Sequence, residues 1–180
     1  GAIDGSVKAL WIFAEDVVQT DPNTHHVKKS MEALDLLGVQ EIFMTETSKM
    51  ADVVLPGTTF LEKSGTFTNT ERRIQRVNAA VKPLKGCKTD GQIIVEMMRT
   101  LGFDQPDYDA AEVLKEIADV VSFFEGVTWE GLGASPMGLQ WPVNKKGEDT
   151  QILHIGEFKI GKGKFHYYDW RESEELVQHK

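Results

Sequence analysis

Residues 7–57, VKALWIFAEDVVQTDPNTHHVKKSMEALDLLGVQEIFMTETSKMADVVLPG, change their apolar period from strand to helix and back. Val7 to Phe13 is a short run rich in β-formers, and Ala14 to Asn23 is polar and contains Pro22. From Thr24 the spacing lengthens: Val27, Met31 and Leu34 fall at i, i+4 and i+7, one apolar stripe on a helix capped by Asn23 or Thr24. A second apolar run covers Leu36 to Met44, and a third, Val53-Val54-Leu55, ends at Pro56-Gly57. The order β-α-β with a short link to another β favours a parallel sheet with right-handed crossovers. Gly38 is either the C-cap of the helix or a glycine inside the second strand.

Beyond Thr58 the texture is different. Ser64-Gly65 and Asn69-Thr70 are turn signals among the β-prone residues Thr66, Phe67, Ile74 and Val77, which reads as an antiparallel ribbon. Two helices follow, each announced by a capping signature: Thr89 with Gln92, and Asp109 with Glu112. The first is expected to bury Ile93, Ile94, Met97, Met98 and Leu101, the second Val113, Leu114, Ile117 and Val121. After Phe123 the chain is irregular and rich in Gly, Trp and Pro until two β-like runs, 152–158 and 164–170, which suggest a hairpin. The charged tail from Glu172 is expected to fray. Segments 1–59, 60–88, 89–122 and 123–180 are thus an α/β half-domain, a β insertion, a helical part and an irregular C-terminal portion.

Composition narrows the function. The 180 residues are 41% hydrophobic and 27% charged, ordinary for a packed core, and the net charge is -8 with no Lys/Arg run. A nucleic acid partner is disfavoured by that charge. No apolar stretch is long enough to span a membrane. Cys87 is the only cysteine, so the chain supplies neither an internal disulfide nor a thiolate-held iron–sulfur cluster of its own.

In an open α/β sheet, ligands bind outside the carboxyl ends of the strands. Those ends are the loops 14–23, 44–48 and 56–60, pointing to a site lined by Glu15, Asp16, Thr20, Thr45 and Thr58. No glycine-rich fingerprint precedes the helix. Asp16 and Thr20 suit a base or ribose, since one carboxylate can accept both the ring N–H and the amino hydrogens of guanine. The competing reading makes Asp16, Asp21 and Asn23 turn and cap residues only. In Glu71-Arg72-Arg73, alternation places the two arginines on opposite faces, one for a structural ion pair and the other for a phosphate or carboxylate.

These residues resemble a family. Residues 11–21, WIFAEDVVQTD, are similar to a stretch of formate dehydrogenase catalytic subunits, within the molybdopterin-guanine-dinucleotide oxidoreductases. So are VQEIFMTET (39–47), ADVVLP (51–56), GTFTNTERR (65–73), GLQWP (138–142) and KGKFH (162–166), all in family order. ADVVLP alone is shared across the superfamily; the combination with GTFTNTERR and GLQWP is specific. The resemblance implies a partial Rossmann-like parallel sheet with flanking helices, whose second strand runs from Leu36 to Glu41. It implies that the region binds one of two molybdopterin guanine dinucleotides, carrying molybdenum or tungsten. The matching positions are Asp16 and Thr20, with Gln40 beside them, Gly57 after the third strand, and Asp90 from Lys88-Thr89-Asp90. Ala14 and Val17 stand where the family usually has Gly and Pro, and Gly38 replaces a bulky strand residue.

Family members oxidise formate to carbon dioxide using a Cys or selenocysteine metal ligand with a nearby His and Arg. They pass electrons to a 4Fe-4S cluster held by an N-terminal Cys motif. The resemblance therefore makes this chain an internal to C-terminal slice, with the remainder of the catalytic subunit and iron–sulfur electron-transfer subunits as expected partners and no formate turnover alone. Two alternatives remain open: a slice of another molybdopterin oxidoreductase, such as a nitrate reductase, and a non-enzymatic nucleotide-binding or interaction module.

Overall fold

The computed structural model describes residues 1–158 and 160–171. Its contacts form two units, one built on Gly1–Gly57 and the other on Thr58–Lys164. The charged tail from Glu172 lies outside the described residues.

In the first unit, β1 (Ala9–Phe13), α1 (Val17–Thr20), α2 (Thr24–Glu32), β2 (Leu36–Glu41), α3 (Glu46–Met50) and β3 (Val53–Pro56) follow one another. The sheet is parallel with order β1-β2-β3, and its register aligns Phe13 with Gln40 and Gln40 with Leu55. α2 starts as its sequence suggests: Asn23, in a left-handed conformation, accepts a hydrogen bond from the His26 N–H at 3.2 Å. Asp52 pins the start of β2, its Oδ2 accepting from the Leu37 N–H at 2.7 Å while its own N–H donates to the Leu37 carbonyl at 2.9 Å. Gly38 is a strand residue, paired with Trp11 and Val53.

Alternation along the strands gives the sheet two unlike faces. Ile12, Leu37 and Val39 form one buried cluster, packed by Val17, Met31, Leu34, Met50 and Ala51 from the helical side. Each such side chain contributes about 1.5–3 kcal/mol relative to exposure. On the alternate positions Trp11, Phe13, Leu36 and Val53 are 38–47% exposed. The second strand stops at Glu41, leaving Ile42, Phe43 and Met44 as exposed loop rather than strand. The polar stretch 14–23 includes the short α1, and the link between the second and third strands is helical.

The second unit is built on a ribbon, β4 (Gly65–Thr68) antiparallel to β5 (Arg73–Val77), with β6 (Leu139–Gln140) on the other edge of β5. The turn is organised by Asn69, whose Oδ1 accepts from the N–H groups of Glu71 and Arg73 at 3.0 and 2.9 Å. Helices α4 (Asp90–Thr100), α5 (Ala110–Val120) and α6 (Trp129–Ala134) follow. Thr89 and Gln92 form the complete capping box at the start of α4, and Asp109 caps α5 by accepting from Ala111 and Glu112. Ile74, Leu114, Val127, Leu132 and Val143 make the core. Glu62 braces the loop before the ribbon, accepting from the N–H and hydroxyl of Thr59 and from the N–H of Leu84.

Three expectations are corrected. Of the two helical faces, only Ile93 and Leu114 are fully buried; Ile94, Leu101, Val113 and Ile117 remain 37–67% exposed. Periodicity reports which side of a helix is apolar, not how much protein covers it. The runs 152–158 and 164–170 form no hairpin: the described residues hold only an isolated bridge between Phe158 and Gly161. β-prone residues there have no partner sheet to pair with, and a lone two-stranded ribbon is marginal in water. Finally, Arg72 and Arg73 do not alternate in one strand, because Arg72 sits in the turn at a φ of 65° and β5 begins at Arg73. Arg73 makes the structural ion pair, with Glu71 at 3.4 Å. Among the described residues Arg72 reaches no anion; it donates to the carbonyls of Trp141, Thr150 and Gln151, the latter two at 3.2 and 3.1 Å.

Candidate functional site

Because the three strands of the first unit are parallel and adjacent, their carboxyl ends lie along one edge. The Ala14 N–H donates to the Gln40 carbonyl at 2.9 Å, and the Gly57 N–H to the Glu41 carbonyl at 3.1 Å. Ala14, Gln40 and Gly57 are therefore fixed at the same end of the sheet. Ala14 turns the chain out of β1 with a φ of 52°, a left-handed conformation that ordinarily favours glycine.

Asp16 follows that turn. Its backbone carbonyl accepts from the N–H groups of Gln19 and Thr20 and so opens α1. Its side chain leaves α1 and reaches the first turn of α3, where Oδ1 accepts from the Thr47 N–H at 2.9 Å and the Thr47 hydroxyl at 2.6 Å. The same hydroxyl oxygen accepts from the Val18 N–H at 3.1 Å. A single chain of bonds, Val18 to Thr47 to Asp16, thus joins the two helices, and Thr47 at its centre is fully buried. Burial pushes the Asp16 carboxyl up, but the hydrogen bonds from Thr47 and Glu46 and the charge of Lys49 together hold it below the usual carboxylate range. Asp16 is accordingly an anion in the folded protein near neutral pH. Both Thr47 bonds fall on Oδ1, leaving Oδ2 outside them.

Thr20, exposed at the end of α1, donates its hydroxyl to Glu15 Oε1 at 3.3 Å and to the Asp16 carbonyl at 3.2 Å. Gln40 is buried at 1% exposure in β2. Asp16, Thr20, Gln40 and Gly57 all belong to the first unit. Asn23 and Asp21 are the cap residues the competing reading makes of them, whereas Asp16 makes a tertiary contact that no cap requires. Thr45 caps α3, accepting from the Ser48 N–H at 3.1 Å. Thr58 is buried, and its hydroxyl has no hydrogen-bond partner among the described residues.

Asp90 belongs to the second unit, in the first turn of α4, where a carboxylate complements the helix dipole. Lys63 forms an ion pair with it, the two side chains 23% and 25% exposed. Among the described residues no group of three or more His, Cys, Asp or Glu side chains could hold a metal ion. Sequence reasoning missed Thr47 and Lys63. The sequence TETSK, a Thr N-cap followed by Glu and ended by Lys, carries a short-helix signature that would have placed Thr47 near a ligand loop. Nothing local to Lys63 signals a partner 27 residues away.

The sequence profile described as Molybdopterin oxidoreductase matches residues 1–100. A Staphylococcus aureus (strain bovine RF122 / ET3-1) protein called "Putative formate dehydrogenase SAB2186c" is 42% identical over 164 residues, 91% of this chain and 17% of the relative. "Probable oxidoreductase YjgC" of Bacillus subtilis (strain 168) is 41% identical over 174 residues, 96% of this chain and 18% of the relative. The chain thus spans under a fifth of the length of these relatives. In structure it is similar to "Acetylene Hydratase from Pelobacter acetylenicus", with a TM-score of 0.59 and 24% identity over 74% of this chain and 19% of that one. That likeness concerns the fold. With the profile covering more than half of its residues, the chain belongs to the molybdopterin oxidoreductase family.

Proposed function

We propose that this chain is the part of a molybdopterin-dependent formate dehydrogenase that holds the guanine dinucleotide end of the cofactor, and that it does not oxidise formate by itself. The observation that carries the reading is Asp16: a carboxylate kept ionised at the carboxyl edge of a parallel sheet, with one oxygen anchored by Thr47. The donor set fits the group. The Asp16 carboxylate would accept the ring N–H and amino hydrogens of guanine, and Thr20, Gln40 and the Gly57 backbone would complete the nucleotide contacts. Thr47 fixes the orientation of Asp16, so the protein bears the cost of ordering it before any ligand arrives.

The bound cofactor would supply the molybdenum or tungsten through which formate gives up two electrons and a proton to become carbon dioxide. A Cys or selenocysteine, His and Arg elsewhere in the polypeptide would serve the metal and substrate, and a 4Fe-4S cluster with iron–sulfur subunits would carry the electrons away. Relatives named for formate dehydrogenase and oxidoreductase activity support the assignment.

Three measurements test it. The longer polypeptide containing this chain, purified with its metal, should reduce a viologen dye with formate and release a guanine nucleotide on acid treatment; absence of both refutes the reading. Asp16→Asn in that polypeptide should lower nucleotide and metal content together. The 180-residue chain alone should show no formate-dependent dye reduction, and such activity would refute the division of labour.

A further inference from the structure

The three arginines of the ribbon have unlike surroundings. Arg72 is spent on main-chain carbonyls and Arg73 on Glu71. Among the described residues Arg76, on β5, makes neither kind of contact. Ile74, two residues earlier on the same face, is in the core of the second unit, and Arg76 carries that face outward. Its guanidinium lies over the Trp129 ring, 4.3 Å from the centroid. Gly133 makes room for it: a Cβ there would stand 2.8 Å from Nη1. Nε is covered from solvent and has no hydrogen-bond partner among the described residues. Beside Arg76 opens a polar cavity of about 330 Å³, also lined by Gln75, Asn78 and Ser135.

A stacked guanidinium, held in plane by an aromatic ring and given no acceptor among the described residues, is prepared for an anion. We propose that Arg76 binds a carboxylate in this cavity, end-on through Nη1 and Nη2. A carboxylate fits better than a phosphate because the lining provides one positive charge and neutral amides, with no lysine to balance a second negative charge. The carboxylate is either a free small acid or the side chain of a polypeptide segment; the recognition chemistry is the same. This site is independent of the nucleotide assignment, since it involves none of Asp16, Thr20, Gln40, Gly57 or Asp90.

The test uses the full chain labelled with nitrogen-15, reading the Arg76 Nε–Hε resonance, whose covered proton exchanges slowly. Acetate, an end-blocked glutamyl peptide, phosphate and chloride are titrated at constant ionic strength. Saturable shifts with acetate assign a free acid; saturation by the peptide with acetate silent assigns a polypeptide side chain. Arg76→Lys keeps the charge but loses the fork; read at the backbone amides of Asn78 and Ser135, which line the cavity, acetate or peptide binding should weaken roughly fivefold or more. Asn78→Asp, at an exposed position, supplies a carboxylate in cis and should abolish the response while leaving the amide spectrum otherwise folded. Shifts no larger than those with chloride, or phosphate binding tighter than both carboxylates, would overturn the proposal.

Discussion

Thr47 grips Asp16 twice, through its N–H at 2.9 Å and its hydroxyl at 2.6 Å, and both bonds end on the same carboxylate oxygen. Replacing Thr47 with Val keeps the shape and the N–H bond but removes the hydroxyl, leaving a half-buried charged acceptor short of a donor. The expected loss is about 1.5–3 kcal/mol, the range for a hydrogen bond to a charged group. The pH dependence should change with it. Asp16 has a folded pKa below its unfolded value near 3.9, so its contribution is complete above that value and is lost as pH falls through the folded pKa. Urea unfolding from pH 6 to 2 should show a shallower acid decline in Thr47→Val; parallel curves would remove the role assigned to the hydroxyl.

Ala14 occupies a left-handed conformation at the exit of β1. That conformation costs roughly 1–2 kcal/mol for a residue with a Cβ, whereas glycine adopts it freely and loses about 0.4–1 kcal/mol through the unfolded chain. Ala14→Gly should therefore raise stability by up to about 1 kcal/mol, measured as a higher urea midpoint at unchanged slope. A lowered midpoint would mean that the strain inferred at this turn is not there.

Lys63 and Asp90 are paired at the start of α4, each about three-quarters covered. Lys63→Met preserves the stem and removes the charge, and is expected to cost about 1 kcal/mol, between an exposed and a buried pair. A double-mutant cycle with Asp90→Asn should give a coupling that shrinks as salt is raised. Zero coupling at low salt would show that the pair contributes nothing.

Gly138 opens the GLQWP motif with a φ of 74°, and a Cβ there would stand 2.2 Å from the Ile74 carbonyl oxygen. Both the backbone conformation and the close approach to β5 require glycine. Gly138→Ala should cost at least about 2 kcal/mol, combining left-handed strain with overpacking, and should release β6 from the ribbon. Hydrogen exchange at Ile74 and Leu139 reads the second effect directly; unchanged protection would contradict it.

The parallel half of the fold was legible because its strands and α2 are long enough to show a period, and the starts of α2, α4 and α5 because Asn23, Thr89 and Asp109 cap through local hydrogen bonds. Residues whose meaning depends on distant partners were not. One of Arg72 and Arg73 was expected to reach an anion, but nothing local shows that Arg72 is taken up by carbonyls 69 to 79 residues away. Asp16 could be chosen from the sequence as a candidate, but its anchoring by Thr47 could not, because the contact spans 31 residues. The apolar runs after residue 152 share the composition of strands without the neighbours that make one.

The sheet of the first unit wears its helices on one side only, and Trp11 stands on the other, 38% exposed. This makes the indole an optical reporter built into the chain. Anything that settles on that face exchanges water for apolar surroundings around Trp11 and shifts its emission to the blue. Trp11→Phe, leaving the other three tryptophans in place, would identify that signal by subtraction.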